Sequence, residues 1–150
     1  MKTVCLIFTV LFSLLLQTKV SFFGVAPMLT IIIVYYGAMR SGTLKGVLLG
    51  SLIGIVEDSI TGGILGPNLL GKGVAGYLSS LISGGIFRWT PLLGMLAVFT
   101  VTLTDGLLVF LSKALYENLP APPLRAVLSI TLQAVMNMTA GIFIKPRNAE

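Results

Sequence analysis

Long apolar runs dominate this chain, and single polar residues punctuate them. Six apolar segments emerge, at 4–16 (extendable toward Phe23), 22–39, 43–56, 68–87, 91–111 and 124–144. Each reads as a helix. The last three are about 20 residues long, the length that crosses a hydrocarbon core of roughly 30 Å. The first and third are short by that measure and need polar flanks or close neighbours. Pro27 and Pro91 stand near segment starts, where a missing N–H costs little, and Pro120, Pro122 and Pro123 mark the loop before the last segment.

Within the third segment, Gly42, Gly46, Gly50 and Gly54 recur every four residues and run on to Asp58. Positions i and i+4 share a helix face, so the glycines predict one smooth ridge roughly 18 Å long. In water each glycine would cost about 1 kcal/mol of helix stability relative to alanine. In lipid the same glycines let a second backbone come close. Gly76, Ser80 and Gly84 repeat the spacing in the fourth segment, and Ser129, Gln133, Asn137 and Gly141 repeat it in the sixth. These stripes are expected to face protein, whether another helix of the bundle or a partner. Gln133 and Asn137 read as an interhelical hydrogen-bond clamp, with substrate binding as the alternative.

Composition sharpens this picture. Of 150 residues, 55% are hydrophobic and 10% charged, whereas soluble domains carry about 25% charged residues. Mean hydropathy is +1.00. The expectation is an all-α, polytopic integral membrane protein, one compact domain over residues 1–150. The first segment, with Lys2 before an apolar core, also resembles a signal peptide. It lacks a small-x-small cleavage site, so an uncleaved span is expected.

The net charge of +5 does not indicate nucleic-acid binding, because the basic residues sit singly at the ends of apolar runs. With the N-terminus in the cytoplasm, Lys2, Arg40, Lys45, Arg88, Lys145 and Arg147 fall inside and Lys19, Lys72, Lys113 and Arg125 outside, a modest positive-inside bias. Tyr35, Tyr36 and Trp89 then read as anchors at the inner interface, and Phe22, Phe23 and Tyr116 at the outer one.

Chemistry is sparse. Histidine is absent and Cys5 is the only cysteine. Histidine-based triads, histidine metal sites and an internal disulfide are therefore excluded. No catalytic residue, cofactor or metal is expected. Glu57 and Asp58 point about 100° apart on a helix and make a poor catalytic dyad. They read as interface residues or as ion-pair partners of Lys72 or Arg125, and Asp58, in line with the ridge, is the structural candidate. Asp105 lies inside the fifth segment, where a carboxylate is a functional hypothesis by default. No matching base is evident near it, Lys113 being eight residues on. No phosphate-binding Gly-Lys-Ser/Thr motif follows the glycine-rich loop 59–68, since Gly71-Lys72-Gly73 lacks the hydroxyl residue, and the loop reads as a tight turn.

One stretch carries a family resemblance. Pro27 opens a span, followed by Tyr35-Tyr36-Gly37-Ala38-Met39-Arg40-Ser41-Gly42. The spaced glycines Gly46, Gly50 and Gly54 then lead into Ile55-Val56-Glu57-Asp58, Gly63-Ile64-Leu65-Gly66-Pro67-Asn68 and Gly76-Tyr77. This order, over residues 25–80, resembles the rod shape-determining membrane protein MreD of bacteria. The first span and the last two resemble that family only in hydropathy. The resemblance implies a non-enzymatic scaffold of the cell-elongation machinery in the bacterial cytoplasmic membrane. It also implies an MreC-like bitopic partner, a RodA-type glycosyltransferase with its transpeptidase, and an MreB-type filament nearby. The family is similar in fold to the S components of energy-coupling-factor transporters, which implies a compact bundle of about six transmembrane helices. Two other readings stay open: an S component binding a vitamin-sized solute, and a small proton- or ion-coupled transporter using Asp105.

Overall fold

The computed structural model describes residues 8–10, 12–13, 15, 25–62, 64–83, 89–116 and 122–145. These are all-helical. The helices are α1 (Leu29–Ser41), α2 (Thr43–Thr61), α3 (Pro67–Ser83), α4 (Pro91–Tyr116) and α5 (Pro123–Met138), with a 3-10 turn at Thr139–Ile142. Pro67, Pro91 and Pro123 each occupy the first helical position, where the proline ring presets φ and no intrahelical N–H is lost. Most of the first apolar segment lies outside the described residues. Its helical residues around Val10 pack Val10 against Val34 and Ile53.

The helix bounds differ from the apolar runs in an instructive way. α1 begins at Leu29, not at Pro27. α2 continues past Val56 through Glu57 and Asp58 to Thr61, where Gly62 closes it in the left-handed conformation at φ 67°. Its 19 residues make a rod of about 28 Å, so the third segment is not short. The acids do not end the helix because both carboxylates find partners inside the bundle. Among the described helices, α4 is long and apolar enough to cross a membrane by length and composition, and α1 is apolar but shorter.

α3 is central. It packs most extensively on α2, then on α4 and α1, and α4 in turn carries α5 and the 3-10 turn. One core joins Ile31, Tyr35 and Met39 of α1 to Ala75 of α3 and Ala97, Val98 and Val101 of α4. Tyr35 is wholly buried there and so is not an interface anchor, and half-buried Trp89 packs against the same cluster. Tyr36 is exposed and lies under the Arg40 guanidinium, 5.0 Å from ring centroid to Cζ. This is a cation–π geometry.

The glycine ridge is real but shorter than the spacing implied. Gly46, Gly50 and Gly54 are buried on the face of α2 that meets α3. A Cβ on Gly50 would overlap the Lys72 carbonyl, and one on Gly54 the Asn68 carbonyl. A Cβ on Gly46 would lie 2.8 Å from the Ala38 Cβ and 3.0 Å from the Gly76 oxygen. The contact is reciprocal, since a Cβ on Gly76 would overlap the Gly46 carbonyl. Gly42 does not belong to it. It is the joint between α1 and α2, at φ 85°, and a Cβ there would meet nothing within 4 Å. Its role is conformational, because side chains disfavour positive φ. The ridge is therefore used inside the bundle, and α3 occupies the surface that a partner would need.

Candidate functional site

Close packing of α2 on α3 brings four charged side chains together. Glu57 and Asp58 come from α2, Lys72 from α3 and Asp105 from α4. Adjacent on one helix, Glu57 and Asp58 diverge and serve different partners.

Asp58 faces the start of α3. Its Oδ2 accepts hydrogen bonds from the backbone N–H of Gly66 at 2.9 Å and of Leu69 at 3.2 Å. Its Oδ1 accepts from the Asn68 N–H at 3.1 Å and from Asn68 Nδ2 at 2.8 Å. A helix N-terminus presents unpaired N–H groups and a partial positive charge. Asp58 thus caps α3 from the preceding helix and fixes the intervening turn. Backbone N–H groups and the Asn68 amide hold this turn, while the expected ion pair with Lys72 forms at the neighbouring Glu57. Gly66, at φ 140°, supplies a backbone geometry that a side chain would disfavour.

Glu57 faces the seam between α1 and α3. Thr30 donates to Glu57 Oε1 at 3.0 Å, and the Lys72 ammonium pairs with Oε2. Lys72 Nζ also lies 3.4 Å from Asn68 Oδ1 and 3.6 Å from Asp105 Oδ2. Lys72 is 1% exposed, Asp105 0% and Glu57 13%. Lys72 is thus no loop charge, and it leaves the outer side of the charge count. Asp105 does have a cationic neighbour, on another helix and 33 positions back in the chain. Gly71 makes room for this approach: a Cβ there would lie 2.5 Å from Asp105 Oδ1. Neither Asp105 oxygen accepts a hydrogen bond from any described residue.

A second polar clamp joins α5 to the chain before α1. Gln133 Nε2 donates to the Ala26 carbonyl at 3.2 Å. Asn137 Nδ2 donates to the Met28 carbonyl at 3.1 Å and lies 3.4 Å from Thr102 Oγ1 of α4. Both amides tie main chain, as an interhelical clamp does. Below them Gly141 meets Gly94, each so close that a Cβ on either would overlap the other's carbonyl. Ser80 is buried and donates to the Tyr77 carbonyl at 2.7 Å, and Gly84 lies outside the described residues.

The arrangement can hold helices in register and balance charge. Among the described residues no group of three or more His, Cys, Asp or Glu side chains is placed to hold a metal ion. Reading along the chain offered Lys72 as an ion-pair partner of Glu57 or Asp58 but not of Asp105, and it passed over Gly71 and Gly94. A lysine within an apolar run that also carries Gly71 and Gly73 was the available signal. No family model matches the chain, and no curated protein or solved structure is detectably similar to it.

Proposed function

We propose that this chain is a multi-pass scaffold of the bacterial cell-elongation machinery, of the MreD type, in the cytoplasmic membrane with both termini on the cytoplasmic side. It binds an MreC-like bitopic protein, works beside a RodA-type glycosyltransferase and its transpeptidase, and is linked indirectly to an MreB-type filament. It is not an enzyme.

The observation that carries the reading is that the stretch bearing the resemblance folds as one unit. The glycines of the motif seat α3 on α2, the Glu57-Asp58 pair serves the two seams, and Gly66-Pro67-Asn68 is the turn that Asp58 caps. A multi-pass placement is supported by the direction of the charges. Glu57, Asp58, Lys72 and Asp105 lower the apolar character of their helices yet point inward, while Leu44, Leu48, Leu52, Leu92, Leu96 and Leu115 are exposed. Exposed apolar side chains on several helices suit a lipid surround. Because α3 covers the glycine ridge, the partner's span docks on an outward, leucine-bearing face.

The test is copurification with an MreC-like bitopic protein in mild detergent, joined to depletion in a rod-shaped host. Loss of rod shape with retained copurification supports the reading. Normal rods after depletion, or a bundle that carries a vitamin through purification, would replace it.

A further inference from the structure

We propose that the Glu57–Lys72–Asp105 cluster binds one exchangeable proton, shared between its two carboxyl groups. Charge balance among buried groups requires it. Lys72 brings one positive charge, and Glu57 and Asp105 bring two negative ones. Asp58, the other acid at this level, is answered separately by three backbone N–H groups and the Asn68 amide.

Among the described residues, the packed elements add no further cation. α1 contributes Thr30. α5 sets Ile130 against Gly106 and Asn137 toward Thr102, and neither is titratable. Lys113 is eight residues along α4 from Asp105, about 12 Å away along the axis. Arg125 is exposed at the start of α5. Full ionisation would leave one uncompensated negative charge among groups that are fully or mostly buried, an expensive state for such a site. A bound proton removes it.

The geometry gives the proton two seats. Lys72 is drawn against Glu57, which Thr30 also serves, while Asp105 is 3.6 Å from the ammonium, beyond good hydrogen bonding. In this arrangement the proton sits on Asp105. If Lys72 Nζ moves over to Asp105, the proton passes to the Glu57 carboxylate, and total charge is unchanged. The two states differ in which helix, α2 or α4, the lysine of α3 holds. The site is a proton-bearing joint, whatever partner the chain binds.

Infrared spectroscopy of the full chain in lipid nanodiscs at neutral pH tests this. The wild type is expected to show a protonated-carboxyl C=O band that survives in sodium-containing buffer. The band is expected to vanish in Asp105→Asn and equally in Glu57→Gln, because either change leaves one carboxylate for one ammonium. The wild-type spectrum decides the matter even if a variant fails to fold. Absence of the band there, or its appearance only when sodium is withdrawn, would overturn the proposal. So would a band that survives either substitution.

Discussion

Asp58 Oδ1 takes two hydrogen bonds from a single residue, Asn68, one from its backbone N–H and one from its side-chain amide. With Oδ2 on Gly66 and Leu69, one buried carboxylate closes the turn between α2 and α3. Asp58→Ala strands those donors. Hydrogen bonds to charged groups contribute roughly 1.5–3 kcal/mol each, though not additively. A loss of about 3 kcal/mol is expected, read by reversible unfolding in detergent. Asp58→Asn should cost less than Asp58→Ala. Equal stability of wild type and Asp58→Ala would show that the cap is dispensable.

Gly50 and Leu52 make a contrasting pair on one helix. Gly50 touches the α3 backbone, and Leu52 is 63% exposed. Gly50→Leu forces side chain into a carbonyl and should abolish the monodisperse peak in size-exclusion chromatography. Leu52→Ile should leave it intact. Gly42→Leu is expected to act differently, through backbone strain at φ 85° of order 1–3 kcal/mol, with no packing defect.

Removal of Lys72 tests the ion cluster. Lys72→Met leaves Glu57 and Asp105 facing each other without a cation, and breaking a buried pair this way typically costs 3–5 kcal/mol. The triple change Lys72→Met, Glu57→Gln, Asp105→Asn removes the charges together and should recover much of the loss. A triple variant no better than Lys72→Met would mean that packing, not charge, explains the effect.

Asn137→Ala removes one of two donors to the Met28 carbonyl, the Ile31 N–H being the other, and unlinks α5 from the start of α1 and from α4. Interhelical bonds of this kind contribute about 0.6–2 kcal/mol in membranes. A melting shift of that modest size, larger than for Gln133→Ala, is the expected result, because Gln133 makes one such bond and is less buried.

How much of this could be read along the chain depends on the range of the signal. The face on which α2 meets α3 was legible, because Gly46, Gly50 and Gly54 sit one helical repeat apart and periodicity is local. Gly42 shares that period but lies where the chain turns, and spacing alone does not distinguish a ridge from a joint. The divergence of Glu57 and Asp58 followed from helix geometry. Of their partners, Lys72 was an expected cation and does pair with Glu57, whereas Thr30 and the donors at Gly66, Asn68 and Leu69 were not foreseen. Lys72 and Asp105 meet only because α3 lies between α2 and α4, a tertiary fact with no local trace. Tyr35 misled for a related reason: amphipathic aromatics suit both a membrane boundary and a helix core, and only packing decides.

The reciprocal approach of Gly46 and Gly76 has a mechanical corollary. Where main chain rests on main chain, a slip of one, two or three residues drives a branched side chain into a peptide group. α2 and α3 can therefore slide only in jumps of a whole four-residue repeat, about 6 Å, and no such jump preserves the Asp58 clasp. These two rods travel as one piece, and relative motion is left to the helices packed against them.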